Sequence, residues 1–324
     1  MTHCRAVSIL GVALALLAVA PDAAHAQRRA APSRAGWHLV WRDEFSGAAI
    51  DTTRWGFDLG NDLVSADGKS VVPGWGNNEL ECYTSSPENA FVSNGLLHLR
   101  ARTSGEPGCR YTSARMTTRR RDNAARFAQR YGRFEFRARL PVGRGLWPAL
   151  WLLPVENAYG TWAASGEIDV MEARGQTPST VLGTLHYGAQ WPGNTHTGAD
   201  YVLPRGGSIA DFHTYALEWE PGRIRWLVDG VVSQTQTFWW SRRTPRGNAT
   251  DSTRAGDVEP WPAPFDRPFY LLMDLAVGGN FLGNPDASTA FPAEMLVDYV
   301  RVYVRSGRVA RLLPRGAGTV PPVQ

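Results

Sequence analysis

Apolar and polar residues alternate with a period of two along most of this chain. Phe134, Phe136, Ala138 and Leu140 are interleaved with Arg133, Glu135, Arg137 and Arg139. Tyr215, Leu217 and Trp219 alternate with Thr214, Ala216 and Glu218, and Val300, Val302 and Val304 with Tyr299, Arg301 and Tyr303. Ile224, Trp226 and Val228 alternate ahead of an Asp229-Gly230 turn, and Asn94-Gly95 is a second hairpin signal leading into LLHLRAR. Successive side chains of a strand point to opposite faces, so the pattern predicts many strands, each buried on one side. The tight turns make neighbouring strands antiparallel. No segment supports an amphipathic helix longer than two or three turns. The chain is expected to be all-β, with two antiparallel sheets packed face to face.

Composition agrees with this class. Of 324 residues, 43% are hydrophobic and 20% charged, enough for a large core. The 33 Gly and 22 Pro suit many turns, and the 13 Trp suit sheet packing or an aromatic ligand surface. Residues 1–26 read as a secretory signal: Arg5, an apolar run from Val7 to Ala20, and an A-x-A site at Ala24-His25-Ala26. The apolar run is too short to span a bilayer comfortably, and no later run is longer, so a soluble, exported protein without a membrane span is expected. Residues 27–36 read as a flexible linker, 37–305 as one catalytic-sized domain, and 306–324 as a loose tail. Cys4 leaves with the signal, and Cys82 and Cys109 remain. Export permits a bridge between them, and two free thiols are the alternative. Formal net charge is +4, and the densest basic run, Arg119-Arg120-Arg121, meets Asp122 at once. That is a solvated surface rather than the broad basic stripe of a nucleic-acid binder.

The segment GEIDVMEARG (166–175) breaks the pattern in an informative way. Glu167 and Asp169 lie two apart and share a face. Glu172, five from Glu167, would point the other way in a regular strand. One extra residue looped out as a β-bulge at Val170-Met171 restores the phase and puts all three acids on one side. Three adjacent carboxylates repel one another unless protons are shared or water screens them. A solvated strand edge and a calcium site are alternatives, although calcium loops alternate acids with Asn, Gly or carbonyls rather than Ile, Val and Met. Paired carboxylates on one surface are the equipment of glycosidic bond cleavage, one protonated and one ionised. A retaining enzyme needs them ~5–5.5 Å apart. Two strand repeats separate the outer Cα atoms by ~13 Å, so the strand must curve toward the acids.

These residues resemble the active-site strand of glycoside hydrolase family 16, in the bulged E-x-D-x-x-E form typical of laminarinases. LVWRDEFSG, GWGNNELE, YTSARM, YGRFEFRARLP, GLWPALWLLP, TLHYG, FHTYALEW, LAVGGN and VDYVRVY follow in the order of that family, across most of residues 37–305. The resemblance implies a β-jelly-roll sandwich with a concave substrate cleft and no catalytic cofactor. It makes Glu167 the nucleophile, Asp169 the assisting acid and Glu172 the general acid/base of a retaining double displacement. It places Arg115, Asn78, Trp147, Trp151 and Trp162 against substrate, and His186 near Glu172; a hydrogen-bonded core histidine is the alternative for His186. Trp75, Trp191, Trp239 and Trp240 are further candidates for cleft walls. A structural Ca2+ on the convex face would be held by backbone oxygens of Glu44 and Gly95 and the side chain of Asp298. Glu81, Cys82, Asp274 and Phe281 stand where Gln, Tyr, Asn and Trp are common in the family.

The expected function is a secreted endo-β-1,3-glucanase acting as a monomer on laminarin-like β-1,3-glucan. Mixed-linkage β-1,3-1,4 activity and agar or carrageenan cleavage are alternatives within the enzyme class. A non-catalytic β-glucan-binding lectin is the alternative outside it, and such proteins usually lose the glutamates.

Overall fold

The computed structural model describes residues 35–64, 71–105, 107–120, 124–243 and 257–307. The signal segment 1–26, all but the last two residues of the 27–36 linker, and the tail from 308 onward lie outside the described residues, as does Lys69.

Nineteen strands follow one another among the described residues. They begin with β1 (Trp37–Asp43), β2 (Gly56–Asp58), β3 (Asp62–Val64), β4 (Val71–Pro73), β5 (Glu81–Tyr83) and β6 (Ala90–Ser93). Next come β7 (Leu96–Thr103), β8 (Tyr111–Ser113), β9 (Arg115–Thr117), β10 (Gly132–Arg139), β11 (Leu146–Pro154) and β12 (Glu167–Ala173). The last seven are β13 (Thr180–Gly188), β14 (Asn194–Val202), β15 (His213–Glu220), β16 (Arg223–Val228), β17 (Val231–Gln236), β18 (Phe269–Val277) and β19 (Ala293–Arg305). A ten-stranded sheet runs β17-β16-β15-β10-β19-β7-β8-β5, with β1 beside β19 and β6 beside β7. A seven-stranded sheet runs β14-β13-β12-β11-β18-β9-β2. The fold is the β-jelly-roll sandwich that the alternating pattern and the resemblance lead one to expect. One pairing departs from the antiparallel rule: β5 and β8 run parallel.

The core fills the space between the two sheets. Phe134 and Phe136 of β10 and Tyr215, Leu217 and Trp219 of β15 are buried in one cluster with Ile168, Val170 and Met171 of β12. Burying each such large side chain contributes about 1.5–3 kcal/mol. The first two polar residues of β10 are not solvated, as alternation alone would have them, whereas Arg139 at its end is exposed. Arg133 and Glu135 are 2% and 0% exposed. They form an ion pair at 2.8 Å, and Arg133 reaches Glu218 of β15 at 2.9 Å. The outer face of the larger sheet thus carries a buried charge network. Each member depends on its partners, because a lone buried charge has no water to replace them.

Cys82 of β5 is bonded to Cys109, just ahead of β8. The bond ties the parallel pair to its connection, where no hairpin turn fixes the register. It closes a loop 27 residues apart in sequence. Closing a loop of that size removes ~3–4 kcal/mol of entropy from the unfolded chain on the chain-entropy account. Replacing both cysteines by serine should lower the midpoint of thermal unfolding by several degrees. Adding reductant to the parent protein should lower it equally and leave the double variant unmoved.

Candidate active site

The register around β12 contains the predicted bulge. Against β11, Asp169 is opposite Trp151 and Met171 opposite Leu150, so Val170 is supernumerary. Against β13, Asp169 is opposite Thr184 and Glu172 opposite Leu182, so the pair Val170-Met171 faces Gly183 alone. Ile168, Val170, Met171 and Ala173 all enter the core. The three acids are left on the other face of the seven-stranded sheet. Gly166, just ahead of the strand, has φ +89°, and a Cβ there would sit 2.8 Å from the ring of Phe265. Only glycine lets the chain enter β12 so close to the core.

Each outer acid is held by a tryptophan. Trp162 donates its indole N–H to Glu167 Oε2 at 2.9 Å, and Trp147 donates to Glu172 Oε1 at 3.0 Å. Between them, Asp169 is 4% exposed. His186 of β13 is the cross-strand partner of Glu167. Its Nε2 lies 3.4 Å from Asp169 Oδ2 and 3.8 Å from Glu167 Oε1. One imidazole therefore faces two carboxylates.

Protonation follows from this crowding. Burial, then the charge of Asp169, push Glu167 up to about 7, against the pull of His186 and the Trp162 N–H. Burial, then Asp169, also push Glu172 well above the ordinary glutamate value. Burial opposes a charge on His186, but Asp169, Glu167 and Glu172 together outweigh it and hold the imidazolium up to about 9. At neutral pH the site thus holds a cation beside Glu167 and Asp169, while both outer glutamates hold their protons more tightly than in water. An ionised and a protonated glutamate on one surface is the pairing that acid-assisted displacement at an acetal carbon requires.

The same face extends across the sheet. Register aligns Glu172, Ala149, Asp274, Arg115 and Asp58 in one row over β12, β11, β18, β9 and β2. Ala149 leaves room between the two acids. Asp274 accepts Trp151 Nε1 at 2.6 Å and the hydroxyl of Tyr83 at 3.3 Å. Burial pushes Asp274 up to about 7, with Arg115 pulling down and Glu79 adding to the rise. Arg115 pairs with Asp58 at 3.0 Å and is sandwiched between the rings of Trp75 and Trp151. Asn78 is exposed beyond this row, with φ 58° and its amide bonded to Asn280. The floor therefore offers tryptophan faces and converging polar groups, the combination that grips a pyranose.

Residues 77–242 match the profile of glycosyl hydrolases family 16. The chain belongs to that family. It is 44% identical over 284 residues to glucan endo-1,3-beta-glucosidase A1 of Niallia circulans, covering 84% of this chain and 38% of that protein. It is 43% identical over 278 residues to a beta-glucanase of Rhodothermus marinus, covering 82% and 85%. The laminarinase catalytic domain of Thermotoga maritima superposes with a TM-score of 0.67 at 39% identity, over 83% of this chain and 98% of that one.

Within the family 16 site, the coordinates bring together Glu167, Asp169, Glu172, Trp147, Trp162 and His186, and beside them Trp151, Arg115 and Asn78. His186 sits directly opposite Glu167, and its charge also acts on Glu172, which the bulge leaves facing Leu182. One expectation needs correction. Trp239 is not a cleft wall: it is 1% exposed, with its indole bonded to the carbonyl of Pro262. Trp191, by contrast, is 70% exposed. Phe281, in place of the usual tryptophan, packs on Trp147 at 4.8 Å. The network of Asp274, Tyr83, Glu79 and Glu81 was not anticipated. The acid-for-amide replacements at 81 and 274 were its only sequence signal.

The three residues expected to hold calcium flank the point where β19 changes partner. The change from β7 to β1 falls between Val297 and Val300, so Asp298 lies at the ends of both strands, β7 starting after Gly95 and β1 ending before Glu44. The Asp298 carboxylate is 2.5 Å from Arg137, and the Glu44 carboxylate is engaged by Arg301.

The protonation pattern has a consequence for stability. Glu167 and His186 both bind protons more tightly folded than unfolded. Their contribution is full at acid pH and is lost as pH rises, through about 7 for Glu167 and about 9 for His186. Glu167→Gln removes the buried charge. Its unfolding midpoint should exceed that of the parent protein at pH 8, with the difference shrinking toward pH 4, as followed by thermal melts across that range.

Proposed function

We propose that the protein is an exported endo-1,3-β-glucanase that cleaves internal bonds of laminarin-like glucans with retention at the anomeric carbon. The observation that carries this reading is the placement of Glu167, Asp169 and Glu172 on one face by the bulge, with an indole N–H on each glutamate. The 1,3-linkage is supported by the activities of the relatives, and export by residues 1–26. No catalytic cofactor is needed. The chain acts as a monomer on a polysaccharide partner.

In the first step Glu172 gives its proton to the glycosidic oxygen as the C1–O bond breaks. The Glu167 carboxylate bonds to C1 from the opposite side, and the released chain leaves with its new hydroxyl. In the second step Glu172, now ionised, takes a proton from water. The water oxygen bonds to C1, and the Glu167 carboxylate departs. The Asp169 anion favours a proton on either glutamate, and the His186 imidazolium, directly opposite Glu167, favours the charge there, so the proton of the pair goes to Glu172.

Laminarin, lichenan, agarose and carrageenan offered side by side should give reducing ends fastest from laminarin. Proton NMR of the first products should show the β-anomer ahead of mutarotation. An α-anomer would remove the retaining mechanism, and absence of turnover with Glu167→Gln behaving as the parent would remove the hydrolase. Binding to laminarin without turnover by the parent protein would instead favour the lectin.

A structural Ca2+ is supported by the resemblance and by the register, which puts Asp298 between the start of β7 and the end of β1, since one carboxylate and backbone oxygens are donors this ion accepts. Arg137 competes with it for Asp298. Calcium should raise the unfolding midpoint and EDTA lower it, with kcat unchanged; equal midpoints in both would remove the ion.

A further inference from the structure

The bulge that aligns the acids is fastened from the opposite sheet. An extra residue in a strand breaks the ladder on both sides and leaves backbone groups without lateral partners. Here the ladder is interrupted between Asp169 and Met171 toward β11, and between Asp169 and Glu172 toward β13. The carbonyl of Asp169 accepts the indole N–H of Trp226, from β16 of the larger sheet, at 2.7 Å. Trp226 is 2% exposed, so bulk solvent does not reach that bond. Its approach is possible because the residue facing the bulge on β13 is Gly183. A Cβ there would lie 2.2 Å from the indole. Gln234, the cross-strand partner of Trp226, donates to the Gly183 carbonyl at 3.3 Å. Two side chains of the larger sheet thus bond the backbone on both sides of the irregularity.

Packing alone does not fix this place. Val170, Met171, Gly183, Tyr215 and Trp226 border a cavity of about 10 Å³, room for roughly one water. A segment with slack beside it can rock unless a directional bond holds it. The Asp169 peptide is the unit that would rock, and it carries the side chain lying between the two glutamates. A shift of about 1 Å in such a group is enough to cost orders of magnitude in rate.

We infer that Trp226, with Gly183 as its socket, is a positioning residue for the reaction: its N–H sets the orientation of the Asp169 peptide and thereby aims the Asp169 carboxylate between Glu167 and Glu172. Trp226 touches neither substrate nor the reacting atoms. Its loss should spare substrate binding and change the chemistry.

The inference rests on the hydrolase reading and is tested separately from it. If the parent protein cleaves no β-glucan, the hydrolase reading fails. If it does, Trp226→Phe decides the inference. This variant should keep KM near the parent value and lose at least about tenfold in kcat. The negative charge of Asp169 raises both glutamates, so its displacement should lower them. The alkaline limb of kcat/KM should move to lower pH by about half a unit or more. Glu167 on β12, His186 on β13, Asp274 on β18 and Arg115 on β9 stay in place in both proteins and do not produce that shift. Gly183→Ala, which pushes the indole away, should show the same signature.

Trp219→Phe is the control. That indole is equally buried and donates to the carbonyl of Phe265 at 3.1 Å, a backbone group outside β12 and its bulge. It should lower the unfolding midpoint and leave the pH profile unmoved. Should Trp226→Phe fail to fold, site-specific 3-benzothienylalanine at position 226 keeps the bicyclic shape, lacks the N–H and is read the same way. Parent-like kcat and pH profile in the variant read, or an equal shift in Trp219→Phe, would overturn the inference.

Discussion

One residue too many in β12 is the constraint on which the rest of the site depends. A strand offers alternate faces, and a five-residue interval between Glu167 and Glu172 would send one of them into the core. Because Val170 and Met171 together face Gly183, both enter the core, and Glu172 returns to the outer face. The bulge therefore satisfies two demands at once. It buries two apolar side chains in succession, and it gathers three acids that would otherwise be split between an apolar interior and solvent. Carboxylates so arranged are costly to ionise together, and that cost is what separates their protonation states.

Around this ribbon the sandwich supplies what the acids need. β11 brings Trp147 to Glu172 and Trp151 to Asp274, and the loop ahead of β12 brings Trp162 to Glu167. β13 contributes the imidazole that makes a charge at Glu167 tolerable. The donors on β11 and β13 are placed by the hydrogen-bonded registers of one sheet, and only Trp162 depends on the conformation of a loop. Asp274 and Arg115 continue the polar row along the floor, ending at Asp58. The indoles standing over it are large, flat and partly apolar, suited to a sugar ring that must be held by its faces and recognised by its rim.

Much of this was legible in the residues before any coordinates. The period-two pattern of β10, β15 and β19 specified strands, their buried faces and the sandwich. The widened gap in GEIDVMEARG specified the bulge and its location. What alternation missed was burial on the second face of β10. A strand pattern cannot say that Arg133 and Glu135 are covered when their own neighbours neutralise them. That His186 faces Glu167 most directly depends on which side of the bulge β13 resumes pairing. Trp226 looked like one more core position of an alternating strand, and nothing local to it reveals a bond to a carbonyl 57 positions earlier. Long-range registers, and side chains that cross from one sheet to the other, are where pattern reading stops.

The most direct measurement of the central claim is a covalent trap. A 2-fluoro laminaribioside with an activated leaving group slows release of the glycosyl-enzyme, so that the labelled peptide can be sequenced by mass spectrometry. If the bulge aims the acids as described, the sugar is found on Glu167, and Glu167→Gln takes up none. A label on Glu172 or Asp169, or the absence of any label on an enzyme that turns over laminarin, would contradict it.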